Sequence, residues 1–384
     1  MALGLQEYKV SYSADNVTFT ALTNVQNINL SVGIQAQLDQ IRASTGQVVV
    51  RYPTGFASPI TALKAGTYIK IENDTNPSPY VLWVGKISNV VVEYGIPYSA
   101  GVGPADFLTI SCEGFFADLG RMTGNNYSMA ADTLTNQFTA ASTQSGVPMF
   151  WNGQASRTGA AQTISGTWAD WLAKTALSNN ARMWDGIASA LYDVFIVDPF
   201  TLTGTQNYFT DGTPDPLNIS QKYDQITFDS LADNYWTQVS VAPDGLATQT
   251  VTKVGETAPF RTYQVNTNNP TTGQALDFAN YLLGNYQTPK FAISSVSCLA
   301  EAQTGAMLLD NFAGFTQTFA GTVGVQTEVV FRGTTFVCVI EGVTMSATPA
   351  GARFTFYLSG ADLNAYLLLD DLTRGTLDNN RLGY

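Results

Sequence analysis

Along the first third of the chain, apolar residues alternate with polar ones or run in β-branched clusters, the period-two signature of half-buried strands. Seven stretches carry it: Glu7 to Tyr12, Val17 to Leu22, Ile28 to Gly33, Gln47 to Tyr52, Thr67 to Glu72, Val81 to Tyr94 and Phe107 to Cys112. Between them lie turn signals, among them Ser13-Ala14-Asp15-Asn16, Thr45-Gly46 and a Pro-, Asn- and Asp-rich run from Asn73 to Pro79. The pattern predicts a closed barrel or sandwich, in which the long run from Val81 to Tyr94 spans both faces or bends at Gly85.

The texture changes after Gly114. Phe115 to Arg121 starts helical, and Asn125 to Gly146 is a small-residue stretch of weak periodicity. Thr167 is an N-cap candidate for a helix that places Trp168, Trp171, Leu172 and Ala176 on one face. Thr203 to Pro216, with two glycines and two prolines, reads as an exposed loop or junction. Strands return at Tyr235 to Val241, a turn at Pro243-Asp244-Gly245 and a strand at Ala247 to Val254. A helix follows from Gln274 to Tyr286, stopping before Pro289. Beyond it come a strand at Phe291 to Cys298, a short helix at Glu301 to Leu309, and strands at Thr316 to Val323, Glu328 to Phe331, Thr335 to Val343 and Arg353 to Leu358.

The expected fold class is mainly β with α+β insertions, divided into a barrel over 1–114, a mixed α+β domain over 115–233, a second barrel with inserted helices over 234–366, and a polar tail over 367–384. A length of 384 residues with 45% hydrophobic content supports roughly two or three cores and excludes disorder as a description of the whole. No window holds 18 uninterrupted apolar residues, so no spanning helix is expected, and residues 1–10 lack the basic lead and apolar core of a signal peptide.

Composition narrows the chemistry. Only 12% of residues are charged, the net charge is −12, and there is no histidine. That removes Ser-His-Asp and Cys-His catalysis and the histidine-based zinc sites, and leaves no basic footprint for nucleic-acid binding. Cys112, Cys298 and Cys338 are far apart and odd in number, which fits buried free thiols better than a disulfide framework or a metal site.

A glycosidase needs only two carboxylates, yet Glu7, Glu72, Glu93, Glu113, Glu256, Glu301, Glu328 and Glu341 are scattered, mostly at strand ends, and read as solvated or rim groups. Asp370-Asp371 falls in the tail. Asp211 to Asp215 and Asp233-Asn234 lack the spacing of a calcium loop and read as turns. Gly101-Val102-Gly103-Pro104 leads into a strand, which fails the context of a phosphate-binding loop. Trp168, Trp171 and Trp184 could stack on a sugar ring, with core packing the favoured reading. No catalytic, cofactor-binding or metal-ligating residue is assigned, and no cofactor is expected.

The succession of features resembles a known family. Ala43 to Val50, Phe56 to Pro59, Leu63 to Ile71 and Val81-Leu82-Trp83-Val84-Gly85-Lys86-Ile87 follow in the order of the first barrel of the tail-tip hub proteins, also called baseplate hub or minor tail proteins, of tailed bacteriophages. Phe107 to Cys112 followed by Gly114 to Gly120 is similar to that family's passage into its second domain. Asn234 to Val241, the helix leading to Pro289, and Leu367 to Asp371 running into Gly375 to Asp378 resemble its second barrel and terminal segment.

The resemblance implies a non-enzymatic homotrimer at the tail tip of a virion, made in the host cytoplasm. Two barrels per subunit would match a sixfold tube, with distal tail or tube proteins above, fibre or spike proteins below and the tape-measure protein as a further partner. DNA would pass through the channel without specific binding, repelled by lumenal carboxylates. The alternatives are a hexameric distal tail ring protein and a β-rich carbohydrate-binding or receptor-recognition protein.

Overall fold

The computed structural model describes residues 8–36, 39–52, 62–73, 80–95, 105–185, 194–198, 207–212, 220–229, 235–287, 292–299 and 323–360. The helix expected at Glu301 to Leu309, nearly all of the strand expected at Thr316 to Val323, and the tail lie outside these residues.

The first barrel contains β1 (Tyr8–Ser13), β2 (Thr20–Leu22), β3 (Val25–Gly33), β4 (Thr45–Tyr52), β5 (Tyr68–Asn73), β6 (Tyr80–Glu93) and β7 (Asp106–Glu113), hydrogen-bonded in the order β2-β1-β5-β6-β7-β4-β3. The two ends of that order are consecutive in sequence. Thr23 and Asn24 alone separate β2 from β3, so the sheet curls until both lengths line one core, which is how a barrel disposes of its edges. Alternation sorts the side chains: Leu108, Ile110 and Cys112 of β7 are buried, while Phe107, Thr109 and Ser111 face the other way. β6 changes partner part-way, from β5 to β7, with a bulge at Ser88 rather than the expected bend at Gly85. Gly85 serves another purpose. A Cβ there, or on Gly46, would enter the indole ring of Trp83, which is wholly buried.

The turn after β1 is tied by one carboxylate. Asp15 accepts hydrogen bonds from Thr18 N, Val17 N and the Ser13 hydroxyl, which hold its pKa down to about 2 from the ordinary 3.8. A depressed acid favours the folded turn above the ordinary value and ceases to do so as pH falls through about 2. Carbon-detected NMR is expected to place the Asp15 midpoint about there and to show it rising in Ser13→Ala; an unshifted 3.8 would contradict the turn geometry.

The second barrel repeats the first. Its strands are Asn207–Thr210, Ser220–Lys222, Gln225–Asp229, Ala292–Leu299, Gln326–Phe331, Thr334–Thr348 and Gly351–Gly360. Taken in chain order as first to seventh, they pair in the sequence 2-1-5-6-7-4-3, the order of β1 to β7. Again two residues, Tyr223 and Asp224, separate the second and third strands, which stand at the two ends of the order. Tyr223 N donates to Thr210 O and Asp224 N to Ser297 O, drawing those ends together. Even the bulge recurs. Ser88 interrupts the sixth strand of the first barrel against β7, and Glu341 interrupts the sixth strand of the second against Gly351–Gly360. The first and second strands differ between the copies, antiparallel in one and parallel in the other.

Three of these strands, Asn207–Thr210, Ser220–Lys222 and Gln225–Asp229, come from the stretch read as mixed. Conversely, the strands read as opening the second barrel form a separate sheet: Gln238–Pro243 pairs with Gln249–Thr252 and with Thr262–Thr267. A helix at Thr272–Tyr286 covers one face of it through Ala275, Phe278, Ala279 and Leu282.

Between the barrels lie α1 (Phe115–Arg121), α2 (Leu134–Ser145) and α3 (Trp168–Ser178), with a three-stranded sheet of Met149–Asn152, Val194–Val197 and Arg182–Asp185. Thr167 caps α3, as the sequence suggests, and Asp170 completes a capping box with it. α2 was hidden by its Ser, Thr and Ala content. It is capped by Thr133, ended by left-handed Gly146, and inserts Leu134, Phe138 and Ala141 into the core.

Candidate functional site

Two features of the paired barrels stand out: the seam that joins them and the sheet face that crosses it. The 15-residue strand Thr334–Thr348 makes the seam. Its first part pairs with Gln326–Phe331 of its own barrel, and its last part, Gly342 to Ala347, pairs with β3 of the other. Glu341 is the bulged residue between the two parts. Its side chain is fully buried and meets Arg182 in a bidentate pair, Nε to Oε2 at 2.5 Å and Nη2 to Oε1 at 2.7 Å. Ser359 Oγ also donates to Oε1, and Arg182 Nη1 donates to Asn180 O at 2.6 Å. Ile34 N donates to Glu341 O across the seam. The close approach depends on Gly33 and Gly342, which pair with each other: a Cβ on either would collide with a backbone carbonyl oxygen of the opposing strand.

The strand that supplies Arg182 grips the first barrel at its other end. Asp185 accepts from Ser44 N and Phe116 N, both at 2.9 Å, and the Trp83 indole donates to Ser44 Oγ at 2.9 Å. Burial pushes the Asp185 carboxyl above its ordinary range, against the pull of those N–H groups.

The non-core face runs across the seam without a break. One row of cross-strand neighbours reads Ser297, Thr355, Thr344, Ser31, Thr45, Glu113, and the next reads Arg353, Ser346, Asn29, Gln47, Ser111, Asn89. All of these residues but Ser297 and Asn89 line a shallow groove of about 570 Å³. Cross-strand neighbours on this face hydrogen-bond to each other at Ser297 Oγ and Thr355 Oγ1, 2.9 Å, and from Asn29 Nδ2 to Gln47 Oε1, 3.5 Å. Of the charged members, Arg353 is held by Asp224 at 2.6 Å and Glu113 by Arg121 at 2.5 Å. The surface is hydrogen-bonding and nearly neutral.

The glutamates weighed as a catalytic pair are dispersed. Glu72 pairs with Lys70 at 2.7 Å, Glu256 with Lys253 at 3.3 Å, and Glu341 with Arg182. Glu7, Glu301, Asp215, Asp233, Asp370 and Asp371 lie outside the described residues, and Asp211 accepts from Arg332 N at 2.7 Å. Among the described residues no three Cys, Asp or Glu side chains gather as a metal site, and no helix is long and apolar enough to cross a membrane. Trp168, Trp171 and Trp184 are buried, the first two edge-to-face at 6.0 Å, so they pack the core. The three cysteines are buried and free, and burial pushes each thiol up, that of Cys338 to about 12. Glu341 and Arg182 are what sequence reasoning missed. Each interrupts an otherwise apolar run, Val337 to Val343 and Ala181 to Trp184.

Two like barrels joined by one strand, with a neutral sheet face running across them, make up the β architecture of this chain. Its fold is that of bacteriophage tail proteins. It is similar to a tail protein from Neisseria meningitidis MC58 (TM-score 0.61, 12% identity, 92% of this chain and 97% of that one). It is equally similar to the 43 kDa tail protein of prophage MuSo2 from Shewanella oneidensis (TM-score 0.61, 12% identity, 92% and 98%). A type VI secretion component from E. coli, itself described as similar to T4 phage tail proteins, matches with TM-score 0.50 and 9% identity over 88% of this chain and 74% of that one. No protein-family model matches the sequence, and no curated protein matches it either.

Proposed function

We propose that the chain is a structural protein of a phage tail tip, a hub in which three copies present six barrels to a sixfold tube and threefold symmetry to fibre or spike proteins. The single observation that carries this reading is the duplication: two barrels of identical strand order in one chain, so that a threefold assembly carries six equivalent modules. The fold shared with tail proteins over nine tenths of the chain supports it. The neutral face spanning both barrels lines the channel. It offers DNA neither a cationic patch to bind nor a strong anionic field to climb. In this reading the face carries few of the carboxylates expected to line the channel, and its uncharged polarity supports passage of DNA without specific binding. The barrels work by assembly, with no catalytic step. As a test, light scattering of the purified chain should give three times 41.3 kDa, and imaging of intact particles should find it at the distal end of the tail. A mass that stays at one chain at high concentration, or six chains in a single ring, would overturn it.

A further inference from the structure

In the second barrel, the sixth strand runs past its own barrel and pairs, through Gly342 to Ala347, with the third strand of the first barrel. The sixth strand of the first barrel, β6, also runs on past its partner β5, which it leaves at Lys86. Among the described residues, Asn89 to Glu93 then pair only with β7, on the other edge. The third strand of the second barrel, Gln225–Asp229, stands at the end of its strand order. We propose that β6 of one copy pairs antiparallel with Gln225–Asp229 of a second copy, reproducing the internal seam head to tail. This rests on the hub reading and names its subunit contact.

The bulges and registers fix the alignment. Ser88 corresponds to Glu341, so Val91, Val92, Glu93 and Tyr94 correspond to Thr344, Met345, Ser346 and Ala347. Pairing of the third strands with their fourth strands makes Ile226, Thr227, Phe228 and Asp229 correspond to Ile28, Asn29, Leu30 and Ser31. Transferring the internal register sets Val92 opposite Phe228, Glu93 opposite Thr227 and Tyr94 opposite Ile226 of the second copy.

Burial within the single chain agrees with that transfer. Ile28, Leu30, Val343, Met345 and Ala347, at the internal seam, are 5% exposed or less. Their counterparts Ile226, Phe228, Val90 and Val92 face the core side too, yet are only half-buried, and Tyr94 is 65% exposed. These are the apolar positions a second copy would cover, and the added strand would satisfy the backbone of β6. Such a contact joins unlike surfaces, so it closes into a ring only if the turn per chain allows.

Disulfide trapping tests it. With the native thiols buried, the double variant Glu93→Cys/Thr227→Cys, oxidised mildly, is expected to give covalent oligomers up to three chains on a non-reducing gel. The slipped pair Glu93→Cys/Asp229→Cys is expected to give far less. The internal counterpart Asn29→Cys/Ser346→Cys should close within one chain and run as a monomer, showing that the geometry permits a bridge. If light scattering shows a trimer while the in-register pair cross-links no better than the slipped pair, this interface is wrong and the hub reading stands. If the native chain remains a monomer, both fall.

Discussion

Replacing Glu341 by Leu is expected to destabilise the protein by about 3–5 kcal/mol, because it leaves the Arg182 guanidinium buried without its counter-charge. Arg182 is 4% exposed and Glu341 not at all, so water cannot take over. The pair itself need not favour folding by much. Desolvating both ions offsets most of their attraction, and the double variant Arg182→Met/Glu341→Leu should recover most of the lost stability. Urea denaturation of the two single variants and the double variant measures this directly. If Glu341→Leu alone unfolds at the native urea concentration, the pair is not the buried contact described here.

Trp83→Ala is expected to cost a similar amount, about 3–5 kcal/mol, by emptying a large volume in a core that is closed on all sides. Gly46 and Gly85 lie flat against the indole, and neither has a side chain that could move in to fill the space. The change also removes the donor to Ser44 Oγ, next to Asp185, and so loosens the link between the first barrel and the helical region. Trp83→Phe should lose less, keeping much of the ring while giving up the hydrogen bond. A loss below about 1 kcal/mol for the alanine variant would mean that the core collapses around the gap.

The strands of both barrels were legible wherever one face is buried and the other wet, as in β7 and in Gly351–Gly360, since alternation is then imposed by the core. The three strands between Asn207 and Asp229 were not. Each is short, and the glycines and prolines around Thr210 to Pro216 mask any period. Gln238–Pro243 was recognised as a strand, but nothing local says which sheet a strand will join. The bend in β6 was sought at Gly85 because glycine marks bulges, whereas the bulge falls on Ser88 and the glycine is needed for Trp83. Glu341 was read as a rim carboxylate from its residue type, although the apolar residues on both sides of it in Val337 to Val343 pointed inward. The neutral face was legible only as composition, a surfeit of Ser, Thr, Asn and Gln, until strand register put those residues in rows.

One consequence of the shared strand concerns synthesis. Gly342 to Ala347, the segment that covers the outer edge of β3, leaves the ribosome roughly 300 residues after it. At translation rates of about 5–20 residues per second, the nascent first barrel waits for about 15–60 s with a strand edge uncovered. The strand order of the first barrel is therefore complete before its last neighbour exists, and the outer edge of β3 stays open until Gly342 to Ala347 has been made.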